Sequence, residues 1–288
     1  MITLENDDLK VGLSAQGAEL ISLVDKKDQT EYIWKAEESI WGYHAPNLFP
    51  IVGGLKDDTL FVDGKSYSMK RHGFARTAHF RRIESAPKQA IFRLRYDEET
   101  LKSYPYKFEF QVIYHLKGRT LEVLYKVINI DDKSIYFSVG AHPAFNVPFK
   151  KGESFEDYSL EFQYEDELIT HQLSEKGLFN GKTAIISMEK QELKLNKSLF
   201  EKDALVFKNI KSRVVTLKNK LSNKTVKVEF PHFNYLGLWS KENAPFICIE
   251  PWLGCADSEG ESKDIRNKEA IQKVEHGHVF ETEYYISV

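Results

Sequence analysis

The sequence has 288 residues, with 40 lysine and arginine residues against 43 aspartate and glutamate residues, which gives a formal net charge of −3. This near-neutral balance disfavours a nucleic-acid binder, which carries a basic surplus, and a polybasic membrane-surface protein. A hydrophobic fraction of 42% beside a charged fraction of 29% is typical of a globular protein whose core needs no disulfide or metal to hold it together.

The N-terminal segment, MITLENDDLKVGL, lacks the basic start and apolar run of a secretory signal. Apolar stretches elsewhere fall short of the ~20 residues that a membrane span requires. The two cysteines, Cys248 and Cys255, form neither a disulfide framework nor a paired-thiol zinc motif. We therefore expect a cytoplasmic protein.

Alternation of apolar and polar residues is the main pattern along the chain. Apolar side chains recur at every second position over residues 108–116 and again over 121–127, and the link between the two runs contains Gly118. Two alternating runs joined by a short glycine-bearing link predict an antiparallel β-hairpin.

The remaining segments also favour strands over helices. Further strand candidates, which contain many of the β-branched and aromatic residues that strands favour, lie at 90–96, 135–139, 159–164, 214–218, 225–230, 246–249 and 281–288. Short helical turns are predicted only at 97–102 and 267–274. Residues 173–202 are rich in lysine, glutamate and serine, which predicts an exposed loop and edge-strand region.

These elements predict a mostly β protein with few short helices, forming one domain over residues 1–288. A large antiparallel sheet has to bury one of its faces, and with few helices available the covering layer is a second sheet. The expected fold class is therefore a large antiparallel β-sandwich.

Motifs for nucleotide or acyl chemistry are missing from the sequence. The glycines do not match the spacing of a dinucleotide-binding or phosphate-binding loop. There is no Gly-x-Ser-x-Gly nucleophile elbow. Candidate chemistry is therefore sought among the histidines and the acidic residues.

His142 is the first candidate, because it follows the predicted strand 135–139 directly. Pro143 restricts His142 to an extended conformation, which suits a side chain that faces a cleft at the end of a strand. The alternative is a structural histidine bonded to a nearby carbonyl.

Glu250 is the second candidate. It follows the apolar run 246–249 and precedes Pro251 and Trp252, so its carboxyl group is expected to be partly desolvated, which raises the pKa toward the range of a general base. The alternatives are a carboxylate paired with a buried arginine or one that caps a turn.

His72 lies among the cations Lys70, Arg71 and Arg76. Such a cluster suits an anionic or polyhydroxylated ligand, and the alternative is a solvated basic turn. Trp239 offers a flat ring on which a sugar can stack, although packing is the commoner role of a tryptophan.

His276 and His278 have metal-ligand chemistry at a spacing of two residues. No third ligand type lies close by in the sequence, so an exposed turn is favoured over a metal site.

Taken together, five segments resemble the aldose 1-epimerase (galactose mutarotase) family, and within it the divergent bacterial LacX-like branch. They span most of the chain in the family's order. The segments are LFPIVGG at 48–54, HGFAR at 72–76, GAHPAF at 140–145, FEKDAL at 200–205 and IEPW at 249–252.

This resemblance implies a galactose mutarotase-like β-sandwich, or supersandwich, that interconverts the α and β anomers of a free aldohexose. It implies a small-molecule sugar as the substrate and no metal or organic cofactor, while the charge balance and the short apolar runs already indicate neither nucleic acid nor a membrane as a partner. By motif position, Glu250 resembles the general base that takes the C1-hydroxyl proton and His142 the general acid that protonates the ring oxygen. His72 resembles the histidine that holds the ring oxygen.

Further residues are expected to bind the substrate. Asp203 resembles the acid that hydrogen-bonds sugar hydroxyls. The other expected substrate-binding residues are Arg71, Arg76, Trp239 and Trp252.

The sequence departs from the family at Gly54, where well-studied members carry an arginine after a glycine. This leaves Lys56, Arg71 or Arg76 to supply a cation. Three alternatives to a free-aldose epimerase therefore stay open: a hexose-6-phosphate 1-epimerase, a non-catalytic carbohydrate-binding protein, and another sandwich enzyme such as a lyase or hydrolase.

Overall fold

The structure is a computed structural model, and it describes residues 1–260 and 264–288. The strands of the first half of the chain are β1 (Ile2–Glu5), β2 (Leu9–Leu13), β3 (Leu20–Asp25), β4 (Thr30–Glu31), β5 (Asn47–Leu48), β6 (Thr59–Val62), β7 (Lys65–Ser68), β8 (Arg81–Ala86), β9 (Gln89–Arg95), β10 (Phe108–Lys117), β11 (Thr120–Asn129), β12 (Ile135–Phe137), β13 (Val139–Ala141) and β14 (Ala144–Asn146).

The strands of the second half are β15 (Tyr158–Phe162), β16 (Glu167–Leu173), β17 (Phe179–Ser187), β18 (Glu192–Lys194), β19 (Leu205–Lys208), β20 (Val214–Asn219), β21 (Thr225–Glu229), β22 (Tyr235–Trp239), β23 (Phe246–Leu253), β24 (Gln272–Val274) and β25 (Val279–Ser287).

Within the described residues, helical structure is limited to short turns, as the sequence predicts. Helix α1 (Glu98–Leu101) falls inside the predicted segment 97–102, and it begins at Asp97, whose carboxylate accepts a hydrogen bond from the Thr100 amide at 2.8 Å. No helix in the described ranges combines the length and apolar composition needed to cross a bilayer. The 3₁₀ turns are Lys56–Asp58, Ala75–Thr77, Phe155–Asp157, Lys197–Phe200 and Ile265–Asn267.

A nine-stranded antiparallel sheet forms one layer, in the order β18-β15-β20-β21-β25-β11-β10-β9-β8. The predicted hairpin of β10 and β11 lies within it, with Lys117 opposite Thr120 around a two-residue turn. Burial along β11 alternates without a break, and Phe110 and Tyr125 belong to the buried set. The predicted hairpin is therefore confirmed.

A second sheet, in the order β19-β22-β23-β13-β5 with β14 also pairing with β23, packs against the first. Phe49, which follows β5, stacks on Phe110 of the nine-stranded sheet with ring centroids 4.5 Å apart. The Tyr125 hydroxyl donates to Oδ1 of Asn47 at 2.7 Å. The predicted mostly β, sandwich-type fold is confirmed, and the single-domain assignment stays a prediction.

Strand β23 is buried on both faces along its whole length. Ile247 and Ile249 belong to the core between the sheets, and Cys248 and Glu250 alternate with them on the other face. The prediction that this strand ends at residue 249 is wrong. The strand runs on through Leu253, because the pairing of β22 with β23 continues on both sides of Pro251 despite its missing N–H.

Two other predicted elements differ from the structure. The predicted strand 135–139 is divided at Ser138, whose amide donates to the carbonyl of Pro50 at 2.7 Å, and its two halves join different sheets. The helix predicted at 267–274 is absent. Ala270 has a φ of 56°, and Gln272–Val274 forms strand β24, which pairs with β12.

The predicted exposed region 173–202 contains more strand than expected. Strand β18 lies at the edge of the nine-stranded sheet, as predicted. The hairpin of β16 and β17, which forms a two-stranded sheet of its own, extends from residue 167 to residue 187. The loop between its strands reaches the candidate site described below.

Candidate active site

A cleft lies over the outer face of the second sheet, on the side of β23 that carries Glu250. The space between its walls, including the part that opens to solvent, is about 790 Å³. All eight side chains predicted from the sequence to act on or bind a substrate line this one cleft: His72, His142, Glu250, Arg71, Arg76, Asp203, Trp239 and Trp252.

Glu250 and His142 form a close pair in the cleft. Glu250 lies on β23 and His142 directly follows β13, the neighbouring strand. Their side chains approach to 3.1 Å between Nε2 of His142 and Oε2 of Glu250, and the two residues are 8% and 1% exposed, respectively. Oε2 has no aligned hydrogen-bond donor among the described residues, so it is available to a ligand.

Aromatic rings fix the orientation of the His142 imidazole. The Trp41 ring stacks on it with centroids 5.0 Å apart at an interplanar angle of 27°. Trp239 and His72 meet it edge-on, with centroids 5.8 Å and 5.7 Å away. The imidazole is thereby held with Nε2 toward Glu250.

The conformation of His72 follows from tight docking of residues 72–73 against residues 49–53. His72 adopts a φ of 67°, and its amide donates to the Gly53 carbonyl at 2.9 Å. In return, the Gly53 amide donates to Nδ1 of His72 at 3.2 Å. Since Nδ1 accepts this hydrogen bond, the neutral ring carries its proton on Nε2 and is a donor there.

Trp252 lies flat across the sheet because the two neighbouring strands carry glycines. A Cβ atom on Gly140 of β13 would lie 2.6 Å from Cδ1 of Trp252, and one on Gly237 of β22 would lie 2.6 Å from Cζ2 and Cη2 of the same ring. The two glycines therefore make the space that the indole fills in the lining of the cleft.

Burial shifts the pKa values of the central groups toward their neutral forms. It raises the pKa of Glu250 well above 4.5, and the negative charge of Asp203 adds to this rise. It lowers the pKa of His142 from 6.5 to about 3. Burial also lowers the pKa of His72, together with the positive charges of His142 and Arg76.

Two arginines place positive charge in the cleft. Arg71 donates through Nη2 to the carbonyl of Lys176 at 3.1 Å, and Arg76 donates through Nη2 to the carbonyl of Arg71 at 3.1 Å. Nε of Arg76 is buried without a hydrogen-bond partner among the described residues. Both guanidinium groups thus use main-chain carbonyls and keep donors for a ligand.

The glycine at position 54 has a spatial explanation. A Cβ atom on Gly54 would lie 3.3 Å from the carbonyl oxygen of Gly177. Gly177 in turn lies directly against the Arg71 guanidinium, which fills the space that a Cβ atom on Gly177 would need. A long side chain at position 54 would therefore meet the loop that Arg71 already contacts. Lys56 instead donates to the Gly260 carbonyl at 2.6 Å, and Lys70 is exposed and outside the lining.

Asp203 lies at the rim, two residues before β19. Its φ of 78° is unusual for a residue with a side chain, and its Oδ1 accepts a hydrogen bond from the Ala204 amide at 2.8 Å. This conformation places the carboxylate in the cleft lining.

Sequence reasoning missed several lining residues. Trp41 lies in an irregular segment before β5, and Leu173, Gly177 and Phe179 come from the β16–β17 hairpin. Two aromatic residues in a short polar stretch, Trp41 and Tyr43, are the signal that could have indicated an aromatic wall.

His276, one of the two histidines considered as metal ligands, lies outside the cleft lining, where it contacts the main-chain carbonyl of Asp131.

Comparisons with known proteins place these observations in a family. Residues 1–263 match a family model described as aldose 1-epimerase. The chain is 38% identical over 282 residues to the chromosomal protein LacX of Lactococcus lactis subsp. lactis, covering 95% of this chain and 94% of LacX.

Two solved structures are similar over almost the full length. One is a galactose mutarotase related enzyme from Lactobacillus acidophilus, at 33% identity and a TM-score of 0.94, covering 99% of this chain and 96% of that one. The other is a galactose mutarotase-like protein from Lactobacillus casei ATCC 334, at 34% identity and a TM-score of 0.94, covering 100% and 99%.

Proposed function

The chain belongs to the aldose 1-epimerase family, and from this premise we propose that it is an isomerase that interconverts the α and β anomers of a free aldohexose. The observation that carries the proposal is the buried pair of Glu250 and His142, 3.1 Å apart in the lining of the cleft. Anomerisation requires one group that takes a proton and one that gives a proton at the same time.

In the proposed reaction, Glu250 takes the proton of the C1 hydroxyl while His142 delivers a proton to the ring oxygen. The C1–O bond of the ring breaks, the aldehyde rotates about C1–C2, and the reverse transfers close the ring on the other face. His72 donates from Nε2 to the ring oxygen, since its Nδ1 is held by the Gly53 amide.

The pair holds one proton in this proposal. Burial favours the neutral carboxyl and the neutral imidazole, whereas the short distance between them favours the carboxylate with the imidazolium. These two effects oppose each other, and in the proposed reaction the proton moves between the two groups. Such a balance suits a reaction in which acid and base exchange roles.

Polarimetry on freshly dissolved α-D-glucose and α-D-galactose tests the proposal. The native protein is expected to accelerate the decay of optical rotation above the spontaneous rate. The variant Glu250→Gln should lose about 10²–10⁴-fold of this gain, which is the range of one positioned proton transfer. Glu242→Gln, at an exposed position, is the matched control and should keep the native rate.

A phosphorylated hexose is a second candidate substrate, favoured by Arg71 and Arg76. Both guanidinium groups lie in the cleft, and their hydrogen bonds go to main-chain carbonyls, so they can receive a phosphate. If this is the substrate, hexose 6-phosphates react faster than free hexoses and Arg76→Met removes the difference. Lys56→Met is the control, because Lys56 lies outside the cleft lining.

Saturable sugar binding without any change in the rate of rotation decay, for free and phosphorylated hexoses alike, would reject both candidates. A non-catalytic carbohydrate-binding protein would then be the better assignment. New reducing ends or unsaturated products from oligosaccharides would instead indicate a hydrolase or lyase. The cytoplasmic location stays a prediction.

A further inference from the structure

A third side chain with metal-binding chemistry lies beside the Glu250–His142 pair. Cys248 has a free thiol and is fully buried. One ligand atom each from His142, Cys248 and Glu250 can be chosen so that all three lie within 4.8 Å of one another. The proposed isomerase reaction gives Cys248 no role.

The strand geometry explains why these three groups meet. Cys248 and Glu250 are two residues apart on β23, so both project from the face that carries the cleft. His142 follows β13, and β13 pairs with β23. Two residues after His142, Ala144 of β14 lies opposite Cys248 of β23. The three ligand types thus come from main-chain positions fixed by sheet pairing.

The unpaired carboxylate oxygen is a second observation that points to a ligand. Glu250 is 1% exposed, and its Oε2, which faces Nε2 of His142, has no aligned donor among the described residues. Burial keeps this carboxyl group protonated in the absence of a ligand, and a bound cation is the kind of partner that favours its ionised form in a buried site. His142 and Glu250 both line the cleft, so an ion can reach them from solvent.

We propose that His142, Cys248 and Glu250 form a site for a borderline-soft divalent cation such as Zn²⁺, which inhibits the enzyme when bound. Nitrogen, thiolate and carboxylate ligands suit Zn²⁺, whereas Mg²⁺ and Ca²⁺ prefer oxygen alone. Three protein ligands leave a fourth position for water, as in zinc sites with an open coordination position.

The binding step balances without a redox change. Two protons leave for solvent as the metal binds: one from the Cys248 thiol as the sulfur–metal bond forms, and the one that the Glu250–His142 pair holds. Nε2 of His142 and a carboxylate oxygen of Glu250 then contribute lone pairs to the ion. Metal–ligand distances of about 2.0–2.3 Å place bound ligand atoms ~3.5 Å apart. The three ligand atoms now lie within 4.8 Å of one another. Each side chain therefore has to move by at most about 1 Å to bind the same ion.

Inhibition follows because the metal coordinates Glu250 and His142, the two groups that transfer protons in the proposed reaction. The Glu250 oxygen and the His142 nitrogen cannot exchange protons with a sugar while they hold the ion. Zn²⁺ should therefore compete with the sugar. Only this inhibition rests on the proposed function, and metal binding itself does not.

Cobalt substitution tests the site independently of any activity. Tag-free protein is treated with chelator and titrated with Co²⁺, and the near-ultraviolet band of sulfur-to-cobalt charge transfer is recorded. We expect this band in the native protein and in Cys255→Ala, since Cys255 is a buried free cysteine of a separate apolar cluster. We expect its loss in Cys248→Ala. A band that survives in Cys248→Ala, or no band in the native protein, would overturn the proposal.

Inhibition of mutarotation is measured in parallel. Each variant's rate in Zn²⁺ is divided by its own metal-free rate, so that a change in basal activity does not enter. The concentration of Zn²⁺ for half-inhibition should rise at least 10-fold in Cys248→Ala and stay unchanged in Cys255→Ala, while Mg²⁺ has no effect. An unchanged half-inhibiting concentration in Cys248→Ala overturns the inhibitory role.

The two proposals fail in distinguishable ways. If no hexose responds to the native protein, the proposed function fails while the cobalt spectrum still decides the metal site. If the cobalt band is absent and mutarotation is present, the metal proposal fails alone. Matching thermal unfolding of the two cysteine variants excludes misfolding as the cause of either result.

Discussion

At the scale of single residues, the buried carboxyl of Glu250 makes the stability of the fold depend on pH. A carboxyl group whose pKa is raised on folding makes its full contribution to the free energy of unfolding at pH values below its unfolded-state pKa. That contribution is lost as the pH rises toward the folded-state pKa. Glutamine has the same shape and no charge, so Glu250→Gln should be more stable than the native protein near neutral pH.

The pH dependence of this difference is the decisive part. The advantage of Glu250→Gln should vanish below pH 4.5, the ordinary pKa of the group, and grow as the pH rises above it. Urea unfolding at several pH values measures this. A variant that is less stable than the native protein near neutral pH would contradict the burial argument.

In the proposed mechanism, the pH–rate profile depends on the proton held by Glu250 and His142. Burial lowers the pKa of His142 to about 3. The Glu250–His142 pair, which already holds one proton, therefore does not take up a second one on the imidazole near pH 6.5. We expect kcat/KM, corrected for spontaneous mutarotation, to stay level through pH 6.5 and to fall only at lower pH. At high pH it should fall when Glu250 loses the shared proton. An acidic decline centred near pH 6.5 would contradict this assignment.

Sequence patterns indicated the titratable residues of the cleft lining better than its aromatic and hairpin walls. His142 and Glu250 stand out because a titratable group next to a proline at the end of an apolar run is unusual. Trp41 did not stand out, because its segment has neither helical nor strand periodicity. Its contact with His142 depends on tertiary packing, which no local pattern encodes.

At the scale of secondary-structure elements, strand β22 carries a glycine that the cleft lining requires. A Cβ atom at position 237 would lie 2.6 Å from the Trp252 ring, so Gly237→Ala must displace the indole. Such overpacking costs about 1–3 kcal/mol, and the displaced ring should also lower activity.

Chemical denaturation and polarimetry measure the two effects of Gly237→Ala. Gly260→Ala is the control, because a Cβ there meets nothing within 4 Å. If Gly237→Ala keeps both native activity and native stability, the prediction is contradicted, because the Trp252 ring then moves without a loss in the free energy of unfolding.

Elements with regular alternation were predictable, and elements shaped by tertiary contacts were not. The β10–β11 hairpin follows from its period of two. Strand β23 was predicted too short because Pro251 is normally a signal for the end of a strand, and here the pairing continues on both sides of it. Lys268 lies in the segment predicted as a helix, yet it is buried and pairs with Asp257 at 2.6 Å, a long-range contact that local propensity does not reveal.

At the scale of the whole molecule, Phe49 joins the two sheets. Its ring is fully buried and stacks on Phe110, and its carbonyl accepts hydrogen bonds from the amides of Phe74 and Ala75. Phe49→Ala should lower the free energy of unfolding by about 3–5 kcal/mol, as expected for a large aromatic residue removed from a core.

Urea unfolding measures this loss. Ile83→Ala is the control, since Ile83 is 42% exposed and a substitution at such a position changes stability by only about 0.5 kcal/mol. A loss below about 1 kcal/mol in Phe49→Ala would mean that the two sheets are joined mainly by other contacts.

The loop between β16 and β17 has a consequence for engineering. Glu250 lies on a strand buried on both faces and His142 directly follows the neighbouring strand, whereas Gly177 and the carbonyl that holds Arg71 belong to a surface hairpin with its own two-stranded sheet. In the proposed function, the two groups that transfer protons are therefore carried by the second sheet and the strand end beside it, while this part of the cleft wall comes from a separate hairpin. If the proposed function holds, grafting residues 174–178 from a relative should change substrate preference while leaving proton transfer by Glu250 and His142 in place.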